Sequence, residues 1–158
     1  MPVNFEYSVE VKSTPDKAFA LIDDLARTPE WLCPCVSLEK LTPGPTTVGD
    51  QLRYSYKQGN RVGVMDGQIT ARIPNEKLTC QYDDKMFQVV IDFNIANGSA
   101  GAKLIHVVTI TPKTFFSKLM SPIIRLGIRK QTRNAMHALK DILDSAEATP
   151  ASGRDANQ

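Results

Sequence analysis

The sequence predicts an α+β domain: a curved antiparallel sheet of about six to seven strands around one long C-terminal helix, with two short helices after the first strand. Three observations carry this. Runs in which apolar and polar residues alternate recur from Phe5 to Ile110, the period of strands with one face in a core. Glycine, proline and asparagine separate most of those runs by only a few residues, which makes them an antiparallel meander. From Phe115 to about Ala146 the apolar spacing changes to three and four, the period of a helix.

The elements follow in order. Phe5, Tyr7, Val9 and Val11 alternate with Glu6, Ser8, Glu10 and Lys12, a strand with one wet face. Ser13-Thr14-Pro15-Asp16 opens a helix whose buried stripe is Ala18, Phe19, Ile22 and Leu25. Thr28-Pro29-Glu30 starts a second short helix, which runs into Trp31 and Leu32 and is stopped by Pro34. Strands are then expected over Val36 to Leu41, Gln51 to Lys57, Arg61 to Ile73, Leu78 to Tyr82, Phe87 to Ile95 and Leu104 to Ile110. Gly59-Asn60, Pro74-Asn75-Glu76, Asp83-Asp84 and Asn97-Gly98 turn the chain between them. Within the third of these, Val62 and Val64 share one phase and Met65, Ile69, Ala71 and Ile73 the other. That slip, with Gly63 and Gly67 beside it, predicts a bulge at Val64 to Asp66.

In the last segment Leu119, Ile123, Leu126, Ala135, Met136, Leu139, Ile142, Leu143 and Ala146 fall on one helical face. From Ser121 to Ala146 such a helix is about 38 Å long, so only the sheet is wide enough to cover it. From Leu119 to Ile128 apolar residues sit almost all the way round. This half is either more deeply enclosed or faces something apolar that is not protein. Arg125, Arg129 and Lys130 interrupt the run too early for a membrane span. A bent sheet gripping a helix closes imperfectly where the two short helices lie, so a pocket is expected there.

With 158 residues, 42% hydrophobic and 23% charged, the chain reads as one domain over residues 1–147, with a disordered tail at 148–158. A net charge of +2 gives no ground for a nucleic-acid partner. The N-terminus lacks the basic and apolar regions of a signal peptide, and the three cysteines are an odd number; both favour a reducing cytoplasm. Monomer and homodimer both remain open.

The order of elements resembles the helix-grip fold of the START-like (SRPBCC) superfamily, which includes polyketide cyclase/dehydrase and lipid-transport proteins and the birch pollen allergen group. The resemblance is carried by Val9 to Asp24, by Pro29-Glu30-Trp31, by Val48-Gly49-Asp50 and by Gly101-Ala102-Lys103-Leu104, and covers about Pro2 to Ala146. Leu32-Cys33-Pro34-Cys35 departs from the pattern, since relatives often continue from the tryptophan into a proline and an aromatic. The resemblance implies a small hydrophobic ligand, a lipid or polyketide-like molecule, bound or transported in a cavity between sheet and helix. Its alternative is a cyclase/dehydrase-type enzyme acting on a polyketide-like substrate. An assembly or chaperone-like module is a third reading.

The residues expected to line or cap the cavity are Trp31, Tyr54, Tyr56, Tyr82, Phe87, Phe93, Met120 and Ile124, where aromatics supply area and tyrosine hydroxyls directional contacts. For each of them taken singly, core is the plainer reading. His106 shares the phase of Leu104, Val108 and Ile110, so it enters the pocket if that face is concave, as a polar anchor or a proton-moving group; a satisfied buried histidine is the plainer reading. No matched nucleophile or carboxylate can be placed beside it, so no catalytic set is assigned. Cys33-Pro34-Cys35 with Cys80 lacks a second ligand pair for a metal, and no cofactor motif is present, so neither metal nor cofactor is expected. Asp92 is out of phase with the Phe87 to Ile95 stripe and reads as solvent-facing. Lys118, Arg125, Arg129, Arg133 and Lys140 form one basic stripe, either a solvated helix face or a peripheral contact with an anionic membrane.

Overall fold

The computed structural model describes the backbone of residues 2–155 and, apart from residues 58, 121 and 148–155, their side chains. The strand β1 (Val3–Val11) leads into α1 (Pro15–Asp23) and a 3-10 turn (Leu25–Glu30). Then come β2 (Cys35–Lys40), β3 (Gln51–Gln58), β4 (Arg61–Ile73), β5 (Lys77–Asp83), β6 (Phe87–Asn97) and β7 (Ala102–Pro112), followed by α2 (Phe115–Leu119) and α3 (Ser121–Asp155). The seven strands form one sheet in the order β1-β7-β6-β5-β4-β3-β2. All neighbours are antiparallel, so the chain meanders from β2 to β7 and β1 closes against β7. This is the α+β helix-grip architecture that the sequence pattern predicts.

Two anchors set the distance between the helices and the sheet. The Arg72 guanidinium donates to both Asp23 carboxylate oxygens at 3.0 and 2.8 Å and lies 5.2 Å over the Phe19 ring, tying α1 to β4. The C-terminal half of α3 is fastened to β1 and the residues after it: Lys12 N donates to Asp144 Oδ1 at 2.8 Å, Ser13 Oγ to the Leu143 carbonyl at 3.0 Å, and Lys140 Nζ to the Glu10 carbonyl at 2.7 Å. Ala135, Met136, Leu139 and Leu143 are buried along the same stretch. The family-like motifs serve these joints. Gly101 sits where a Cβ would be 2.5 Å from the Ser13 carbonyl oxygen, so only glycine allows that approach. Asp50 accepts from Thr47 N and Thr42 Oγ1, both at 2.8 Å, and closes the loop before β3.

Several expectations are corrected. The bulge lies between Ile69 and Ala71 against β5, while β4 pairs with β3 without a shift through Val64 to Asp66. Inward residues therefore run Gly63, Met65, Gly67, Ile69 and then, after the shift, Arg72; Ile73 is exposed. On α3 the inward residues are Ile124, Ile128, Thr132, Ala135, Met136 and Leu139, whereas Leu119 of α2 and Ile123, Leu126 and Ala146 of α3, assigned to the same face, are exposed. A segment apolar on all sides carries no phase of its own, and the sheet selects one. Lys140 leaves the basic stripe, because it is half-buried against Glu10 and Asp144. α3 is helical as far as Asp155, and 156–158 lie outside the described residues. No helix among the described residues is long and apolar enough to cross a membrane.

Candidate functional site

Along β6, Phe93 and Ile95 are buried, whereas Phe87, Val89 and Ile91 share their phase yet are only half-buried. The inner face of the sheet therefore opens progressively toward the Phe87 end. A cavity of about 420 Å³ occupies that space, between β3–β7 on one side and the 3-10 turn and α3 on the other. This is within the size range of small-molecule sites.

Trp31, Tyr54, Tyr56, Tyr82, Phe87, Phe93, His106 and Ile124 all stand on its wall. Met120 does not: it ends α2, half-buried and away from the lining, because the inward phase of the helix begins at Ile124. The aromatic rings are in mutual contact. Tyr54 lies 5.3 Å from Tyr56 and 5.6 Å from Tyr82, and Trp31 meets Phe93 edge-on at 5.7 Å. Two glycines make room for them. A Cβ at Gly63 would come within 2.5 Å of Tyr56 Cζ, and one at Gly67 within 2.4 Å of Tyr82 Cδ1. These glycines, which the sequence pattern presents as bulge markers, are seats for tyrosine rings.

Besides the exposed Lys57 and the half-buried Asp84, the polar groups of the cavity are few. His106 is buried and stacks on Phe93 at 4.1 Å, with an interplanar angle of 16°. Neither of its ring nitrogens has a hydrogen-bond partner among the described residues, and the same holds for Trp31 Nε1 and Thr28 Oγ1. All three side chains border the cavity. Buried polar atoms are otherwise nearly always paired, so four unpaired ones in three residues that border one cavity are an unusual polar cluster in its wall. Burial pushes the His106 pKa down to about 3, against a smaller upward pull from Asp92 across the sheet, so the imidazole is neutral at physiological pH. Burial also raises the Tyr54, Tyr56 and Tyr82 hydroxyls, and moves the Cys35 and Cys80 thiols up to about 11 and about 12. Each group is held in its uncharged form.

Sequence reasoning missed Thr28, Gln131 and Thr132 on this wall. Thr28 reads first as a helix start. Gln131 and Thr132 follow Ile124 and Ile128 at helical spacing, a signal that becomes visible once the inward phase is known. Asp92 faces away from the cavity, half-buried, accepting from Thr79 Oγ1 at 2.7 Å with Lys77 Nζ at 3.3 Å. Cys33 is exposed while Cys35 and Cys80 are buried, all three as free thiols, and no cluster of His, Cys, Asp and Glu among the described residues is placed to hold a metal.

A family model described as polyketide cyclase / dehydrase and lipid transport matches residues 2–144. A sequence search among curated proteins gives no match. Among solved structures, the di-domain ARO/CYC StfQ from the steffimycin biosynthetic pathway superposes with a TM-score of 0.74 at 13% identity over 94% of this chain, which spans 53% of that protein. The protein TTHA0849 from Thermus thermophilus has a TM-score of 0.73 at 13% identity, over 92% of this chain and 99% of its own. A START superfamily protein from Mycobacterium smegmatis has a TM-score of 0.73 at 15% identity, over 90% and 98%. At such identities the likeness carries the fold and leaves the activity to the site.

Proposed function

This chain belongs to the polyketide cyclase/dehydrase and lipid-transport family of START-like proteins, and we propose that it binds a small, uncharged, largely apolar molecule bearing one or two oxygen functions. The fold is compatible with ligand binding or transport and with cyclase/dehydrase activity, so what favours one over the other has to come from the site. One observation carries the binding reading: an apolar cavity whose buried wall leaves Thr28 Oγ1, Trp31 Nε1 and both His106 nitrogens without partners among the described residues.

The donor set constrains the guest. Trp31 Nε1–H only donates, a neutral imidazole donates once and accepts once, and a threonine hydroxyl does both. A carbonyl oxygen paired with Trp31 or His106, and a hydroxyl paired with the remaining imidazole nitrogen, would satisfy this set. Beside His106 a buried carboxylate would not be matched, because the imidazole is held neutral and desolvating an unpaired charge is costly; Lys57, the cation of the lining, is exposed. Lipids and polyketide-like molecules with keto or hydroxyl groups both fit this description. Proton-transfer chemistry is less well served. The same burial that keeps the imidazole neutral makes it a weak base, and the tyrosines are held protonated.

Two rigid polycyclic fluorophores of equal size, one a plain hydrocarbon and one a hydroxy-ketone, test this by titration. The oxygenated probe should bind at micromolar concentration and more tightly by about tenfold, the worth of one satisfied buried polar pair. Equal affinity, or no binding of either probe, overturns the proposal. Native mass spectrometry of protein from its own host should then show a retained neutral molecule.

A further inference from the structure

Phe115, Phe116, Leu119, Ile123 and Leu126 are between 62% and 78% exposed. Phe116, Leu119, Ile123 and Leu126 are spaced three, four and three apart, so they share one face of α2 and the first turns of α3. That face points away from Ile124 and Ile128, which look into the cavity. The segment is well folded there, since Thr114 and Ser117 form a reciprocal cap: Ser117 N donates to Thr114 Oγ1 at 3.1 Å and Thr114 N to Ser117 Oγ at 2.9 Å. An apolar stripe this contiguous is uncommon on a free surface.

Charge specifies what covers it. No acidic residue occurs from Thr114 to Lys140, while Lys118, Arg125, Arg129 and Arg133 are exposed beside the stripe and Lys130 is exposed at its C-terminal end. Arg129 reaches over the Phe5 ring at 5.6 Å, and among the described residues none of the five has an ion-pair partner. We propose that this face docks on an anionic lipid bilayer, with the apolar stripe in the acyl boundary and the cations at headgroup level. A second copy of the chain is a poor occupant, because a symmetric contact would set one cationic flank against the other. Docking places the wide end of the cavity, beside α2, next to the membrane.

The test uses the ligand-free chain, so its failure would leave the cavity reading standing. Co-sedimentation with phosphatidylcholine vesicles containing about 30% phosphatidylglycerol should bind the protein at least about tenfold better than pure phosphatidylcholine, and about 0.5 M salt should remove most of the difference. The triple variant Leu119→Ser/Ile123→Ser/Leu126→Ser should lose about tenfold or more of that binding. So should Arg125→Glu/Lys130→Glu. Both variants should keep the parent's thermal transition, because every changed residue is exposed. No vesicle binding, equal binding to neutral and anionic vesicles, or a solution dimer that the triple variant dissolves would each overturn the proposal.

Discussion

Replacing His106 with phenylalanine should make the ligand-free protein more stable and less sensitive to mild acid. The imidazole is 3% exposed, stacks on Phe93 at 4.1 Å and leaves both nitrogens without partners among the described residues. A phenyl ring keeps the stack and removes two polar atoms that cost about 1–3 kcal/mol each when unpaired. Because a cavity wall can hold a water, a net gain of about 1–3 kcal/mol at pH 8 is expected. The pH dependence follows from the pKa of about 3 in the folded protein against an ordinary value of 6.5. The unfolded chain takes up a proton as pH falls through 6.5 and the folded chain does not, so stability present above that pH is lost progressively until about pH 3. By pH 5 the loss is about 2 kcal/mol, or about 4–8 °C in Tm for a chain of this size. The lowered carboxyls of Asp50, Asp83 and Asp144 act below their ordinary value of 3.8, outside the range from pH 5 to pH 8. Thermal unfolding followed by far-UV circular dichroism at pH 8 and pH 5 compares parent and variant, which differ only at this position. A variant that is less stable at pH 8, or that keeps the parent's full acid sensitivity, would refute the reasoning by showing that the imidazole is hydrogen-bonded in solution.

Two further substitutions address the cavity. Gly67→Ala should destabilise the protein by about 1–3 kcal/mol, because the new methyl would meet the Tyr82 ring at 2.4 Å and the Gln81 carbonyl oxygen at 2.6 Å, and backbone cannot step aside; an unchanged midpoint in chemical denaturation would disprove that crowding. Val89→Trp places an indole in open space on the half-buried stretch of β6, so it should weaken the oxygenated probe about tenfold or more while Tm holds or rises. Full probe affinity in that variant would locate binding elsewhere.

Most of the fold was legible because its signals are local. Alternation along Phe5 to Val11 and Phe87 to Ile95, and the turns at Gly59-Asn60 and Asn97-Gly98, need no knowledge of distant partners. The bulge was misplaced for the complementary reason. Its position depends on how β4 meets β5 near Ile69, a pairing that the sequence of β4 does not contain. Gly63 and Gly67 pulled the reading toward Val64 because glycine in a strand signals either a bulge or a close neighbour, and here the neighbours are Tyr56 and Tyr82.

The wall of the cavity was legible residue by residue, whereas its emptiness was expected only from the general way a bent sheet closes on a helix. Tyr54, Tyr82, Phe93 and His106 announce an inward face by phase alone, but the same phase would describe a filled core. What separates the two is how far α3 stands from β6, which is set by bonds from β1 and the residues just after it to Asp144, Leu143 and Lys140, and by Arg72 holding α1 through Asp23. Those anchors gather at the C-terminal half of α3. The N-terminal half, apolar on two opposite faces, then turns Ile124 and Ile128 toward the open space and leaves Ile123 and Leu126 in solvent. A sequence optimised only for a closed core would make that outer face polar. Apolar residues on both sides of one short stretch are the expected pattern for a helix that borders a guest on its inner surface and an apolar medium on its outer one.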